Sequence, residues 1–558
     1  MFLKNNTSLV ALCMLLILLL INCKGEMNQY TEIKKSDSQD ISSTTTSNTV
    51  QLEQGWNDGI QQKFWFTTQG SLIMRYDWFL WLEKENSTEL FRSTKNINKY
   101  KYIPQSSSKL NPDGLPIGFM KNKEKGVNYV GINCAACHTG QVKYGETTMI
   151  IDGAPAMADY QSFFQDLEKA MEKTVTDKSK FERFAVNVLG DDYNNDDEME
   201  LRELFLKATE DLKARNILNE TTNPYGFSRV DAFGQIFNMV TAHDLNIPEN
   251  KEEPNAPVSY PFLWDTPQSN LVQWNGLLSN HGLGPIGRNV GEVLGVFGTL
   301  DIKPGVLYPT SAKVANLGRL EKWMESLWSP KWPEKYIGAI DTEKANAGKI
   351  VYANNCVSCH ATIERTNPDR RVFANMIALK SIGTDPLMAI NATHKASTGI
   401  LEGEKITLVD DAVFGKTAYK AQILTNAVEG ALFDHLLGTV EGLVISHLDI
   451  ATSDFNAIAT PSYKARPLNG IWATAPFLHN GSVPNIWELL KPEAERVKVF
   501  YVGSRELDPK NIGFETTESK DSFKYDTSIA GNYNMGHLYG TTLTEKEKWD
   551  LVEYMKTL

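Results

Sequence analysis

The stretches NCAACH at residues 133–138 and NCVSCH at residues 355–360 decide how this chain is read. Each places two thiols three residues apart and an imidazole directly after the second. In a Cys-x-x-Cys-His pentad the thiols add to the two vinyl groups of a haem, and the adjacent histidine reaches the iron. A zinc or thioredoxin-like site would need further cysteines or histidines close by in the sequence, and neither stretch has them. The residues therefore predict two covalently bound haem c groups. One is attached through Cys134 and Cys137 with His138 on the iron, the other through Cys356 and Cys359 with His360.

Working outward, the six cysteines are all accounted for. Four lie in the pentads. Cys13 falls inside an apolar run from Leu9 to Ile21 that follows Lys4, which reads as an export signal too short for an ordinary transmembrane helix. The run ends in Leu20-Ile21-Asn22-Cys23, which resembles a bacterial lipobox, with Cys23 as the lipid-bearing residue. Asn22 departs from the small residue usual there. The expectation is a signal peptide at 1–22 and a body in the periplasm or cell envelope, anchored to the membrane by lipid on Cys23. Residues 23–50 are polar and rich in Ser and Thr, and they read as a flexible tether. The formal charge is −12 with no basic run, which argues against nucleic acid as a partner.

Trp78, Trp81 and Leu82 have the spacing of one helical face, and Phe163, Phe164, Leu167 and Met171 predict an amphipathic helix. A further helix is predicted around 316–328, stopped by Pro330 and Pro333. A boundary is placed there, giving an N-terminal haem domain at 51–335 with the active haem. A C-terminal cytochrome-c-like electron-transfer domain follows at 336–558. Strand signals are few and short. The expected fold class is mainly α: two cytochrome-c-like haem domains with long ordered loops and few short strands. The two hundred residues between the pentads exceed what two small carriers need, which suggests an enclosed pocket over one iron.

From about residue 110 onward the sequence resembles the bacterial dihaem cytochrome c peroxidase superfamily, which includes the rubber oxygenases. The resemblance rests on GINCAACHTGQ (131–141), VSYPFLWDTPQSNLVQWNG (258–276), GLGPIGRNVGEVLGVFG (282–298) and YKARPLNGIWATAPFLHNGSVPNIWELL (463–490). These look most like the rubber-oxygenase-like branch. The resemblance implies that Trp274, in WNG, lies between the two haems and relays electrons. It implies that Glu292, closing GPIGRNVGE, is the distal acid of the first haem, and that His479, in PFLHNG, lies near the second. Peroxide cleavage needs a group that accepts and returns a proton, which a carboxylate above an open iron can do. The bland alternative is an ion pair between Glu292 and Arg288 one helical turn before it. Arg466 is a candidate partner for haem propionates.

The departures from the family pattern are informative. No histidine occurs between His138 and His243, so the displaceable ligand many peroxidases hold there is missing. The position of the peroxidase methionine ligand is Glu493. The second iron therefore needs another ligand, and the resemblance to the rubber oxygenases, which have a late C-terminal histidine ligand, implies His537, in NMGHLYG, with His479 and Met535 as fallbacks; His243 and His281 remain candidates over the first. The superfamily often binds calcium, which the acidic run 191–200 could suggest. That run lacks the glycine and spaced glutamate of an EF-hand loop and reads as a solvated turn. The expected function is a dihaem oxidoreductase, peroxidase-like or oxygenase-like, with catalytic Glu292 and Trp274. It would act on peroxide or dioxygen, with an organic substrate and a small redox donor protein as further partners. The alternative is a non-enzymatic, membrane-tethered electron carrier.

Overall fold

The computed structural model describes residues 48–407, 411–446 and 460–558. The signal segment, Cys23, all but the end of the tether, and His447 lie outside the described residues.

Two hairpins frame the first pentad. Strands Phe119–Glu124 and Val127–Ile132 pair antiparallel with Glu124 opposite Val127. Their two-residue turn has Lys125 at φ 45° and Gly126 at φ 87°, the backbone handedness that matches strand twist in a tight hairpin. Strands Thr139–Tyr144 and Thr147–Asp152 form the second hairpin around Gly145. Thr49–Gln51 adds to it in parallel, opposite 148–150, and Met74–Arg75 adds to the first. Between the hairpins, Cys134–Cys137 make a single helical turn. The Asn133 side chain caps it by accepting from the Ala135 amide (2.9 Å) and donates to the Phe64 and Thr67 carbonyls. Gly118 lets the turn sit this low: a Cβ there would lie 2.1 Å from the Ala136 nitrogen.

The helix Tyr160–Thr176 buries Phe163, Phe164, Leu167 and Met171 as the spacing predicts. The helix Val314–Glu325 also forms. The aromatic face near residue 80 does not hold together. Its helix, Tyr76–Trp81, is only six residues long; Trp78 and Leu82 are buried while Trp81 is 37% exposed.

The expected fold class is corrected. About 40% of the structure is helix and about 15% strand, the latter spread over eight small sheets of two or three strands. The chain is not divided into two cytochrome-c-like domains either: Thr45–Leu558 is one compact unit. The physical reason lies in the cores. One apolar cluster joins Phe64, Trp65, Val290 and Leu317 to Ala427, Leu432 and Tyr463. Another joins Met149 and Trp264 to Trp472, Leu551 and Met555. Apolar surface from both halves is buried in common in these two clusters, while a third, from Met74 to Phe297, lies within the N-terminal half.

The acidic run 191–200 enters the helix Asn195–Leu218. Asn194 caps that helix, and Asp196, Asp197 and Glu198 occupy its first turn, where negative charge complements the helix dipole. No group of three or more His, Cys, Asp or Glu placed to hold a metal ion occurs among the described residues.

Candidate functional site

Each pentad opens onto a cavity, and the same local device orients each proximal histidine. His138 Nδ1 lies 2.7 Å from the Pro261 carbonyl oxygen, and His360 Nδ1 lies 2.7 Å from that of Arg466. A ring nitrogen that donates to a carbonyl leaves Nε2 unprotonated and aimed away, the arrangement a metal-ligating imidazole needs. Burial pushes His138 down to about 4 and lowers His360, so both rings are neutral. Burial pushes the Cys137 thiol up to about 12 and the Cys356 thiol to about 11.

At the second pentad, Cys356 ends the helix Thr342–Asn355, and the Tyr352 hydroxyl donates to the His360 carbonyl (2.6 Å). The cavity there is lined by Cys356, Cys359, His360, Tyr463, Arg466, His479 and His537. The His537 ring centroid is 6.2 Å from that of His360. Two imidazoles sharing one metal ion, each bonded at about 2 Å, would have centroids roughly 6 Å apart. His537 Nδ1 is buried without a hydrogen-bond partner among the described residues, and burial pushes the ring down to about 4. The residues fit a haem held between two histidines. His479 lines the cavity too, but it stacks on Tyr463 at 4.0 Å. Met535 is 40% exposed and does not line the cavity.

The His537 loop is built by residues whose role was not read from the sequence. Arg496, 2% exposed, donates to the carbonyls of Asn534 (2.6 Å), Gly536 (2.8 Å) and His537 (3.2 Å). Glu493 accepts from the Gly536 amide at 2.9 Å. Gly536, at φ 71°, passes so close to Gly383 that a Cβ would lie 2.2 Å from its carbonyl carbon. His537 itself sits at φ 48°, a strained region for a residue with a side chain. The glutamate at the expected methionine position thus helps hold the loop that presents the histidine.

At the first pentad, two cavities both reach Glu292, the larger of them walled by Phe233 and Leu424. One contains Cys137, the other Cys134 and His138. Glu292 lies on the helix Gly284–Gly295 and is not consumed by Arg288, which pairs with Glu321 and bonds Asn280. The Glu292 carboxyl instead accepts from Gln69 (3.4 Å) and from the Cys134 thiol (3.5 Å). Desolvation raises its pKa, which favours a carboxyl carrying a proton. The larger cavity has mainly apolar walls, among them Phe233, Ile236, Leu277, Leu424 and Val428. The one histidine lining it, among the described residues, is His281, which is exposed. His243 is 62% exposed and bonds Asp244. The pentad thiols, the oriented His138 and the cavities on either side of Glu292 fit a haem with one open face.

Trp274 lies between the sites, lining both the His138 cavity and the His360 cavity. Its Nε1 donates to the Ser259 carbonyl at 2.9 Å. Arg466 lines the same two cavities.

Comparison with known proteins places this geometry. The chain is 32% identical over 576 residues to uncharacterized protein y4iJ of Sinorhizobium fredii, covering 91% of this chain and 93% of that protein. The chain belongs to the same family as y4iJ. A second protein of that organism, uncharacterized protein y4iM, is 24% identical over 55% of the chain and 67% of its own length. Residues 462–501 match the family "RoxA-like, cytochrome c-like". The match supports a rubber-oxygenase-like c-type cytochrome with bound haem. It does not support assignment to the dihaem peroxidase superfamily, and it marks one cytochrome-c-like region where the sequence suggested two. That region contains Tyr463, Arg466 and His479, which line the second cavity.

Proposed function

We propose that this protein is a dihaem c-type oxidoreductase in which the first haem is open and reactive and the second, held by His360 and His537, exchanges electrons. The observation that carries this is the asymmetry between the cavities. Two imidazoles face each other at the second (6.2 Å), whereas a buried Glu292 carboxyl, its pKa raised by desolvation, and apolar walls face the first. When bound, the first haem would supply a ferrous or ferric iron able to take up dioxygen or peroxide. The chain's own part there is to exclude water with its apolar walls and to hold a proton on the Glu292 carboxyl for an oxygen atom that gains charge. A general acid so placed is worth about 10²–10⁴-fold.

The apolar lining favours dioxygen with an organic, apolar co-substrate over peroxide alone. Trp274 would pass electrons between the sites, and a small redox protein would supply them at the second. The second pentad itself, with Val357 and Ser358 exposed, suits such a partner. The proposal extends to a periplasmic or envelope location with lipid on Cys23. No helix among the described residues is long and apolar enough to cross a membrane.

Electron paramagnetic resonance of the oxidised protein tests this reading. One high-spin and one low-spin ferric signal are expected. Two low-spin signals would make the protein an electron carrier.

A further inference from the structure

Four side chains line both the His138 cavity and the His360 cavity: Phe262, Trp274, Lys464 and Arg466. They form one wall. The Arg466 guanidinium carbon lies 3.5 Å from the centre of the Phe262 ring and 4.8 Å from that of Trp274. The Lys464 amide donates to the Trp274 carbonyl (2.8 Å), and its ammonium to the Leu271 carbonyl (3.0 Å). The backbone of this wall also orients both proximal histidines, through Pro261 on one side and Arg466 on the other. Lys464 and Arg466, two residues apart in extended chain, share a face.

Neither cation has an ion-pair partner among the described residues. Asp265, the acid whose charge reaches Arg466, is bonded instead to Arg370 and Asn469. Burial drives Arg466 down to about 9 and Lys464 well below the lysine range. Buried cations without counter-charge are costly. Two of them on one wall between two cofactor sites call for anions arriving from those sites, and haem c carries propionate carboxylates.

We infer that Lys464 and Arg466 are a single positive element shared by the two haem sites, so that the same pair of charges sets the electron affinity of both. This rests on the two-haem reading above. On reduction each site takes up one electron, ferric to ferrous, and a fixed positive charge near both favours that uptake at both. Arg466 stacked on Trp274 acts on the bridge in the same sense, because a cation over the ring makes removing an electron from it harder.

The test is a spectroelectrochemical titration of the full-length holoprotein, its two sites told apart by their high-spin and low-spin bands, with haem counted as the pyridine haemochrome. In Lys464→Met the ferric-to-ferrous ratio at a fixed applied potential should rise roughly tenfold at both sites. That is the effect of one charge at about 10 Å through an effective dielectric near 20. Lys464→Arg keeps the charge and should leave both ratios near wild type. Lys464→Gln, a second neutral variant, should repeat the double shift. With two haems bound, a change at only one site, or at neither, overturns the inference. One haem or none in the wild type overturns the two-haem reading instead.

Discussion

The two pentads have the same chemistry and opposite surroundings. Around the first, Cys134 is 8% exposed and Ala135 and Ala136 are 1% and 3% exposed, enclosed by two hairpins and the Asn133 cap. Around the second, Val357 and Ser358 are exposed at the end of a helix. The difference teaches that the motif fixes only the bond to the cofactor. Whether the cofactor meets a small molecule in a closed space or an electron partner at the surface is set by what packs around it.

The largest expected effect tests the second site. His537→Ala should abolish its low-spin ferric signal and replace it with a high-spin one, whereas Met535→Ala should leave the spectrum unchanged. A surviving low-spin signal in His537→Ala would remove the contrast between the sites.

At the first site, Glu292→Gln should lower turnover about 10²–10³-fold with haem content intact. Burial raises the Glu292 pKa, so its proton is kept to a higher pH than that of an exposed carboxyl and is lost as pH climbs through the raised value. Activity should fall on the alkaline side in the wild type, and the Gln variant should lack that limb. A pH–rate profile measured on both proteins checks this.

A smaller effect is expected where the second site is braced. Arg496→Met removes charged hydrogen bonds to three carbonyls of the His537 loop, each worth roughly 1.5–3 kcal/mol. A partial high-spin fraction and a lower denaturation midpoint should appear together, and Arg496→Lys should recover part of both. The smallest effect is that of Trp274→Phe. It keeps an aromatic ring in the wall while raising the cost of oxidising it, so electron equilibration between the sites should slow without change in haem content or spin state. Stopped-flow spectra would resolve it.

The sequence carried the chemistry better than the architecture. Both pentads were legible because covalent chemistry demands residue types at fixed spacing, and the family resemblance pointed to His537, which the fold brings to the second cavity opposite His360. Arg496 and Lys464 could not be read. Their roles come from carbonyls and cavities that meet only after folding, and nothing local distinguishes them from surface cations. The hairpins at 119–132 and 139–152 did leave a signal, since Lys125-Gly126 and Gly145-Glu146 are two-residue turns between β-prone runs. The expectation of two domains failed because periodicity says which face of a segment is apolar and not which distant segment covers it. Phe64 and Leu432 share a core that no window of sequence connects.

The depth of the first pentad bears on how the molecule is assembled. In the finished structure the Cys134 thiol is enclosed and burial keeps it firmly protonated. A protonated, enclosed thiol is neither nucleophilic nor accessible. Its thioether bond therefore belongs to a time before the Asn133 side chain locks onto the Phe64 and Thr67 carbonyls. Cys356 and Cys359 are half-buried, with Val357 and Ser358 between them exposed, so that pentad is reached more readily. The burial of Cys134 thus asks that a cofactor at the first pentad be attached before the chain closes over it.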